Sequence, residues 1–288
     1  MPVNFSDDMH MKLSQVKISC LPVGMFPQFL NRQVGIDDWL KAGSEMNLDG
    51  VDISCQFFNG HVPAMVEPEI KQIKSMDIPI VMVVAYSDFT QKIEQQISRE
   101  QAYICRDIAL ASEYGAKYVR VLAGQQREGL SIEQGVEIAA KNLIQIAEIA
   151  RKFGVTLVYE NDLNPSGWIN PDFSSLADVF PMMVDKLRGS PVRVNFDTAN
   201  VVACGKDVVV ELARVIDMVA TLHVADTATA DKLTPTSVGT GLVPLADTFS
   251  FLKENSFSGY LCIEAGVETT FDQIRNTVER VRNIWEKA

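Results

Sequence analysis

Residues 155–160 read VTLVYE and residues 192–197 read VRVNFD, two short apolar runs that each end on a carboxylate. Parallel strands that are buried on both faces read as nearly continuous apolar runs of this kind. Similar runs recur along the whole chain about 27 to 40 residues apart, which is the length of a strand–helix unit. They predict six further strands, at 16–20, 50–54, 78–85, 117–122, 219–223 and 259–264.

Amphipathic segments between these runs predict helices. Ser131 and Gln134 have capping-box spacing ahead of an apolar pattern that stops at Gly154, which predicts a helix over 131–153. Ser98 and Gln101 have the same spacing and predict a helix over 98–114. Apolar residues at helical spacing predict three more helices, at 37–46, 207–217 and 271–286.

Eight strand–helix units without a linker predict an α/β protein, a single-domain (β/α)8 TIM barrel over residues 1–288. The polar and acidic residues 1–14 are expected to form a flexible N-terminal tail. An open, doubly wound sheet is the competing fold, and it would carry a glycine-rich turn after its first strand. Residues 21–30 read LPVGMFPQFL and lack that turn, so the barrel is favoured.

The charge balance argues against two classes of partner. The chain holds 26 Lys+Arg and 37 Asp+Glu, a formal net charge of −11, so we expect neither nucleic acid nor an anionic membrane surface as a partner. The five cysteines have no metal-binding or redox spacing, which indicates reduced thiols. The first residues lack an apolar leader, and the longest apolar run, at 78–85, is too short to span a bilayer. These features predict a cytoplasmic protein.

The last four predicted strands end on residue types that bind metals: Glu160, Asp197, His223 and Glu264. In a barrel the carboxyl ends of the strands meet at one mouth, so these side chains are expected to converge. Each also has a structural explanation, since Asp197 could cap a helix and His223 could be a core residue. Three converging carboxylates repel each other unless a cation lies between them. An oxygen-rich set with one imidazole suits Mn²⁺ best, with Mg²⁺, Co²⁺ or Zn²⁺ as alternatives.

The second half of the chain resembles the xylose-isomerase-like TIM barrels, a superfamily of sugar isomerases and epimerases. The resemblance lies in five segments: LVYEN (157–161), VNFDTAN (194–200), LHVAD (222–226), SVGTG (237–241) and GYLCIEAG (259–266). It implies that Glu160, Asp197, His223 and Glu264 are the metal ligands. It also implies that Glu160 and Glu264 face opposite sides of the reacting carbon as the catalytic acid/base pair.

The resemblance therefore implies a divalent-metal-dependent isomerase or epimerase. Such an enzyme abstracts a proton next to the carbonyl of its substrate, here a small keto-sugar or related polyol. Relatives are often dimers or tetramers, so a homodimer or homotetramer is expected.

The residues around the expected metal site depart from the ketose epimerases. Asn200 stands where those enzymes carry a histidine, Thr229 where they carry an arginine and Ser166 where they carry a glutamate. Ala225 replaces a lysine found in many relatives, although Asp226 is retained. These differences leave two alternatives open, an inosose-type dehydratase (a lyase) acting on a keto-polyol and a non-catalytic sugar-binding barrel.

Four residues are candidates for substrate binding, and three of them have a competing structural interpretation. Asn200 could hydrogen-bond a sugar hydroxyl. Trp168 could stack on a sugar face or pack under its own loop. His61 follows the second strand and could reach the mouth or remain a surface-loop residue. Arg127 follows the fourth strand and could bind a phosphate or carboxylate, or could be a solvated loop charge.

Overall fold

Eight parallel strands run through the computed structural model, which describes residues 16–60, 62–165 and 167–288. All eight strands predicted above are present, with ends within a few residues of the prediction. Their bounds are β1 Lys17–Leu21, β2 Val51–Ser54, β3 Ile80–Val84, β4 Tyr118–Val121, β5 Thr156–Glu160, β6 Arg193–Asp197, β7 Val219–Val224 and β8 Tyr260–Glu264.

Each strand pairs in parallel with its successor from β2 to β8, and β8 pairs with β1. The remaining seam, between β1 and β2, is joined by residues at its lower edge. The Asp49 backbone N–H donates to the Ile18 carbonyl at 2.9 Å, and the Ile18 N–H donates to the Asp49 carboxylate at 2.8 Å. The strands therefore form a nearly closed barrel with helices between them, which confirms the predicted (β/α)8 TIM barrel.

Ten α-helices lie in the described residues. Their bounds are α1 Phe26–Leu30, α2 Ile36–Glu45, α3 Pro63–Lys74, α4 Glu94–Glu113, α5 Ile132–Lys152, α6 Val179–Leu187, α7 Thr198–Ala203, α8 Val208–Val215, α9 Leu245–Glu254 and α10 Phe271–Lys287. None of the helices described is both long enough and apolar enough to cross a lipid bilayer.

The helix ends test the capping predictions in detail. The capping box before α5 is confirmed, because the Gln134 N–H donates to Ser131 Oγ at 3.2 Å and Gly154 ends the pattern with φ +73°. The predicted start of α4 at Ser98 is wrong, because the helix begins one turn earlier, at Glu94. The residues of that extra turn, EQQI, include good helix formers, and Glu94 is favourable near the positive end of the helix dipole.

The apolar core has two parts. The larger part fills the layer between the strands and the helices. The smaller part lies inside the barrel and consists mainly of Leu21, Met82, Val84, Tyr118, Val158, Tyr260 and Cys262. Since alternate residues of a strand face the same side, the next inward positions above Tyr118, Val158 and Cys262 are Arg120, Glu160 and Glu264. On these three strands the inward positions thus change from apolar to charged towards the mouth.

One carboxylate lies within the barrel wall below the mouth. Asp52 of β2 is fully buried, and Ser19 Oγ donates to it at 2.6 Å. Its other oxygen has no hydrogen-bond partner among the described residues. Burial raises the pKa of Asp52 to about 6, although the Ser19 hydrogen bond acts in the opposite direction.

We expect Asp52 to make the stability of the fold depend on pH. Because its folded-state pKa lies above the unfolded value of 3.8, the protonated group contributes stability that is present below about pH 4 and is lost as the pH rises through 6. The side chain of the Asp52→Asn variant stays neutral over this range. The free energy of unfolding of the variant, relative to that of the wild type, should therefore rise by up to about 3 kcal/mol between pH 4 and 7. Urea unfolding at several pH values measures this difference.

Asp77→Asn, at an exposed loop position before β3, is the matched control and should follow the wild type across the same pH range. A pH-independent difference between Asp52→Asn and wild type would contradict the prediction.

Candidate active site

The barrel brings the four predicted ligand residues to one mouth. Glu160, Asp197 and Glu264 are the last residues of β5, β6 and β8, and His223 is the penultimate residue of β7. Strand register places Asp197 directly beside His223. Oxygens of Glu160 and Asp197 and a ring nitrogen of His223 all lie within 4.8 Å of one another. His223 Nδ1 also contacts Glu160 Oε1 and lies 3.7 Å from Glu264 Oε2.

The two glutamates differ in their surroundings. The Glu160 side chain is 3% exposed, and the Glu264 side chain is 27% exposed at the edge of the cluster. Glu160 is held on both oxygens: Arg120 Nε lies 3.0 Å from Oε2, and Asn195 Nδ2 donates to Oε1 at 2.6 Å. Thr221 Oγ1 donates to Asn195 Oδ1 at 2.7 Å, which fixes the orientation of that amide. Glu160 is therefore rigidly oriented, whereas Glu264 faces more open space.

The pKa values at the mouth move in both directions. Burial raises the pKa of Glu160, but His223 and Arg120 outweigh it and bring that pKa below the usual value. Burial, together with the charges of Glu264 and Glu160, raises the pKa of Asp197 well above its usual value. Burial and then Glu160 raise the pKa of Asp162 to about 7. Burial lowers the pKa of His223, but Glu160 outweighs it and raises that pKa to about 9.

Burial and an excess of negative charge raise the pKa values of Asp197 and Asp162, whereas the mutual attraction of Glu160 and His223 lowers the pKa of the first and raises that of the second. Four carboxylates, those of Glu160, Asp162, Asp197 and Glu264, face one guanidinium and one imidazole. Carboxylates that cannot all be solvated or paired retain protons, or they bind a cation. The mouth therefore has the electrostatic character of a cation site.

The residues present fit a divalent metal ion. Three carboxylates and an imidazole form an oxygen-rich donor set with one nitrogen. Asp197 Oδ1 accepts the Asn200 N–H at 2.6 Å and so caps α7, and its second oxygen remains for a ligand. Asn200 Oδ1 is buried and has no hydrogen-bond partner among the described residues. Asp197 can therefore cap α7 and bind a metal ion at the same time.

A cavity of about 510 Å³ opens above this cluster. Arg120, Glu160, Asp197 and Glu264 contribute to its polar side. The lining also has an apolar part, which includes Val23, Phe26, Leu30, Leu233 and Pro235. A cavity of this size with converging polar groups on one side is typical of a small-molecule site.

A family model described as "Xylose isomerase-like TIM barrel" matches residues 37–284. The chain belongs to this family. The match covers most of the barrel, from α2 to α10, and includes all four residues of the cluster. None of the curated proteins matches the sequence.

Solved structures share the fold at low sequence identity. The IOLI protein "with a binding zinc atom" is 15% identical, with a TM-score of 0.75 over 94% of this chain and 99% of that one. The probable 3-DHS dehydratase AsbF from Bacillus anthracis is 14% identical, with a TM-score of 0.74 over 93% and 99%. The 3-keto-D-glucoside 4-epimerase YcjR from E. coli is 18% identical, with a TM-score of 0.70 over 93% and 100%. At these identities the likeness shows the fold.

Of the predicted substrate-binding residues that the structure describes, one lines the cavity and two do not. Asn200 lines the cavity. Arg127 forms an ion pair with Asp88 and is not among the described residues that line the cavity. Trp168 is half-buried in the loop after β5 and is likewise absent from the described lining. His61 lies outside the described residues, as does Ser166 of the family comparison.

Sequence reasoning missed Arg120 and Asp162, which both line the cavity. The Arg120 guanidinium lies over the ring of Tyr86, 5.1 Å from its centroid, and its Nη1 lies 4.0 Å from the Asp162 carboxylate. A signal was available, because Arg120 is the inner charge of the predicted strand 117–122. Charged residues are almost never fully buried unless they are paired, so an arginine there indicates a buried acidic partner.

Asp197→Asn is expected to weaken metal binding without disturbing the helix that Asp197 caps. The asparagine oxygen can still accept the Asn200 N–H, but the ligand charge is lost. The affinity for Mn²⁺, measured by calorimetric titration of metal-stripped protein, should fall by at least roughly 100-fold.

Asp207→Asn is the matched control, because Asp207 caps α8 through the Val210 N–H at 2.9 Å in the same way, away from the cavity. Equal Mn²⁺ affinity in the two variants would contradict the assignment of Asp197.

Arg120→Met should destabilise the metal-free protein by about 3 kcal/mol or more, because it leaves the buried Glu160 without its guanidinium partner. Arg120→Lys keeps the charge and should cost less. Urea unfolding in the presence of a chelator gives both values.

Lys71→Met removes an exposed ion pair with Glu67 and should change the free energy of unfolding by less than about 1 kcal/mol. A loss at Arg120→Met no larger than at Lys71→Met would show that the Arg120–Glu160 pair does not hold the mouth together.

Proposed function

We propose that this protein is a divalent-metal-dependent isomerase or epimerase that acts on a small keto-sugar or related polyol. The observation that carries the proposal is the buried cluster of Glu160, Asp197 and His223 beside Glu264, at the floor of a cavity of small-molecule size. Membership of the xylose isomerase-like family supports it. Structures of the same fold include a zinc-binding protein, a sugar epimerase and a probable dehydratase.

Glu160, Asp197, His223 and Glu264 are the proposed metal ligands. Mn²⁺ suits three carboxylates and one imidazole best, and a zinc ion in a structure of the same fold keeps Zn²⁺ as an alternative. A bound divalent ion would act as a Lewis acid that stabilises negative charge developing on the substrate oxygens. Asn200, with its unpartnered buried oxygen, is the proposed acceptor for a substrate hydroxyl.

The two glutamates are the proposed acid/base pair. One carboxylate takes the proton from the carbon next to the carbonyl, and a carboxylic acid returns a proton to the substrate. Return to the opposite face of the same carbon inverts a stereocentre, and return to the neighbouring carbon moves the carbonyl. Arg120 and Asn195 orient Glu160, and this orientation supports proton transfer because a fixed base needs no reorganisation. Glu264, more open to the cavity, can approach the substrate from the other side.

Deuterium wash-in tests the proposal. Mn²⁺-loaded protein is incubated in D₂O with pooled ketoses, aldoses, ketose phosphates and keto-inositols, and mass spectrometry follows each compound. We expect one deuterium to enter a single sugar or polyol. Glu264→Gln should then slow exchange by roughly 100-fold or more, because a general base is lost.

Glu254→Gln, at an exposed position ending α9, is the control and should exchange at the wild-type rate. Full activity of Glu264→Gln on the identified substrate would contradict the two-base mechanism. A product lighter by one water would instead identify a dehydratase. Tight sugar binding without exchange under any metal would favour a non-catalytic sugar-binding barrel.

A further inference from the structure

The described lining of the cavity offers no free positive charge to an anionic substrate. Among the described residues that line it, Arg120 is the only basic one. Its guanidinium is already engaged, with Glu160 at 3.0 Å and Asp162 at 4.0 Å. The carboxylates of the lining outnumber it, so an added phosphate or carboxylate would meet repulsion from these groups.

The backbone N–H groups of the loop after β7 are a second feature that disfavours anion binding. TIM barrels frequently bind phosphate through backbone amides of the loops after strands seven and eight. Here the Asp226 carboxylate occupies the amides of the loop after β7. Its Oδ2 accepts the N–H groups of Gly239 at 2.9 Å and Gly241 at 2.8 Å, and its Oδ1 accepts those of Thr227 at 2.9 Å and Val243 at 3.1 Å. These four N–H groups already donate to a carboxylate of the protein and are therefore not free to bind a phosphate.

In the loop after β8, a second buried carboxylate accepts hydrogen bonds, mainly from hydroxyl groups. Glu268 is buried, and its Oε2 accepts the Val267 N–H at 3.2 Å. Its Oε1 accepts the hydroxyls of Ser237 at 2.6 Å and Thr277 at 2.8 Å. The Thr269 N–H is also taken, by the Gln273 side chain at 2.8 Å. Two internal carboxylates therefore accept five backbone N–H groups of these loops, four at Asp226 and one at Glu268.

Another part of the cavity lining is apolar and favours contact with an uncharged, partly apolar ligand. Phe26 and Leu30 of α1 and Leu233 of the loop after β7 line the cavity and form its apolar wall. The C–H face of a sugar or cyclitol ring can pack on such a wall, while its carbonyl and hydroxyl groups face the polar side. Leu30 is 49% exposed, so part of this wall is uncovered for a ligand.

We infer that the site selects an uncharged substrate, a free keto-sugar, cyclitol or glycoside, and rejects phosphorylated and carboxylated analogues. The inference rests on the proposed function for the location of the site. It is carried by Asp226, whose carboxylate accepts four backbone N–H groups of the loop after β7, by Glu268, which accepts one N–H of the loop after β8, and by the absence of a free cation among the described lining residues.

Matched pairs of compounds test the inference. Deuterium exchange by the Mn²⁺-loaded protein is compared for sugars that differ only in a phosphate, such as D-fructose and D-fructose 6-phosphate, and for ketoses and their uronic-acid counterparts. The neutral member should have the larger kcat/KM by roughly 100-fold, since like-charge contact costs several kcal/mol. In parallel, inorganic phosphate is titrated calorimetrically into the protein, where no Kd below about 1 mM is expected.

A pair of variants separates charge from shape. Leu30→Arg places a cation on the cavity wall and should narrow the neutral-to-phosphorylated ratio by about tenfold. Leu30→Gln, a polar uncharged substitution at the same position, should leave that ratio unchanged. Equal effects of the two variants would contradict a selection by charge.

Faster exchange of the anionic members, or phosphate binding tighter than 1 mM, would overturn the inference. If no compound exchanges and phosphate does not bind, the absence of an anion site is supported, and it is the proposed isomerase function that fails.

Discussion

The buried ion pair between Arg120 and Glu160 is the contact on which the mouth of this barrel depends. Three parallel strands end on carboxylates at a common edge, and the loop after β5 adds Asp162, so that four carboxylates lie close together in a largely buried space. Arg120 compensates one of them, is held over Tyr86, and leaves the opposite oxygen of Glu160 to Asn195 and His223. Asp197 and Glu264 form no comparable ion pair with Arg120 in the part of the chain that the structure describes. This imbalance makes the mouth suited to a divalent cation.

The same electrostatic problem is solved differently in the loops above the mouth. Asp226 and Glu268 are buried but are surrounded by backbone N–H groups and hydroxyls, so their charge is satisfied locally. These carboxylates fix the loops after β7 and β8. They also accept five backbone N–H groups of these loops, which are therefore not free to bind an anionic ligand.

The fold could be predicted from the sequence because buried parallel strands leave a strong local pattern. All eight strands are where the apolar runs placed them, and the capping box at Ser131 marks the start of its helix. Ser98 has the same spacing as Ser131, yet it lies inside α4, because neighbouring helix formers extend the helix beyond a local cap signal. The convergence of Glu160, Asp197 and His223 was predictable, since strand ends in a barrel share one mouth.

The sequence by itself determined the barrel, its strand order along the chain and the residue types at four strand ends. Those features depend on local hydrophobic patterns and on the fixed geometry of parallel strands. Only the tertiary structure decided that Arg120 pairs with Glu160 and that Arg127 pairs with Asp88 outside the described lining of the cavity. It also decided that Asp226 fills the loop amides. These outcomes depend on which buried charges approach each other through space, and no local pattern encodes such contacts between distant residues.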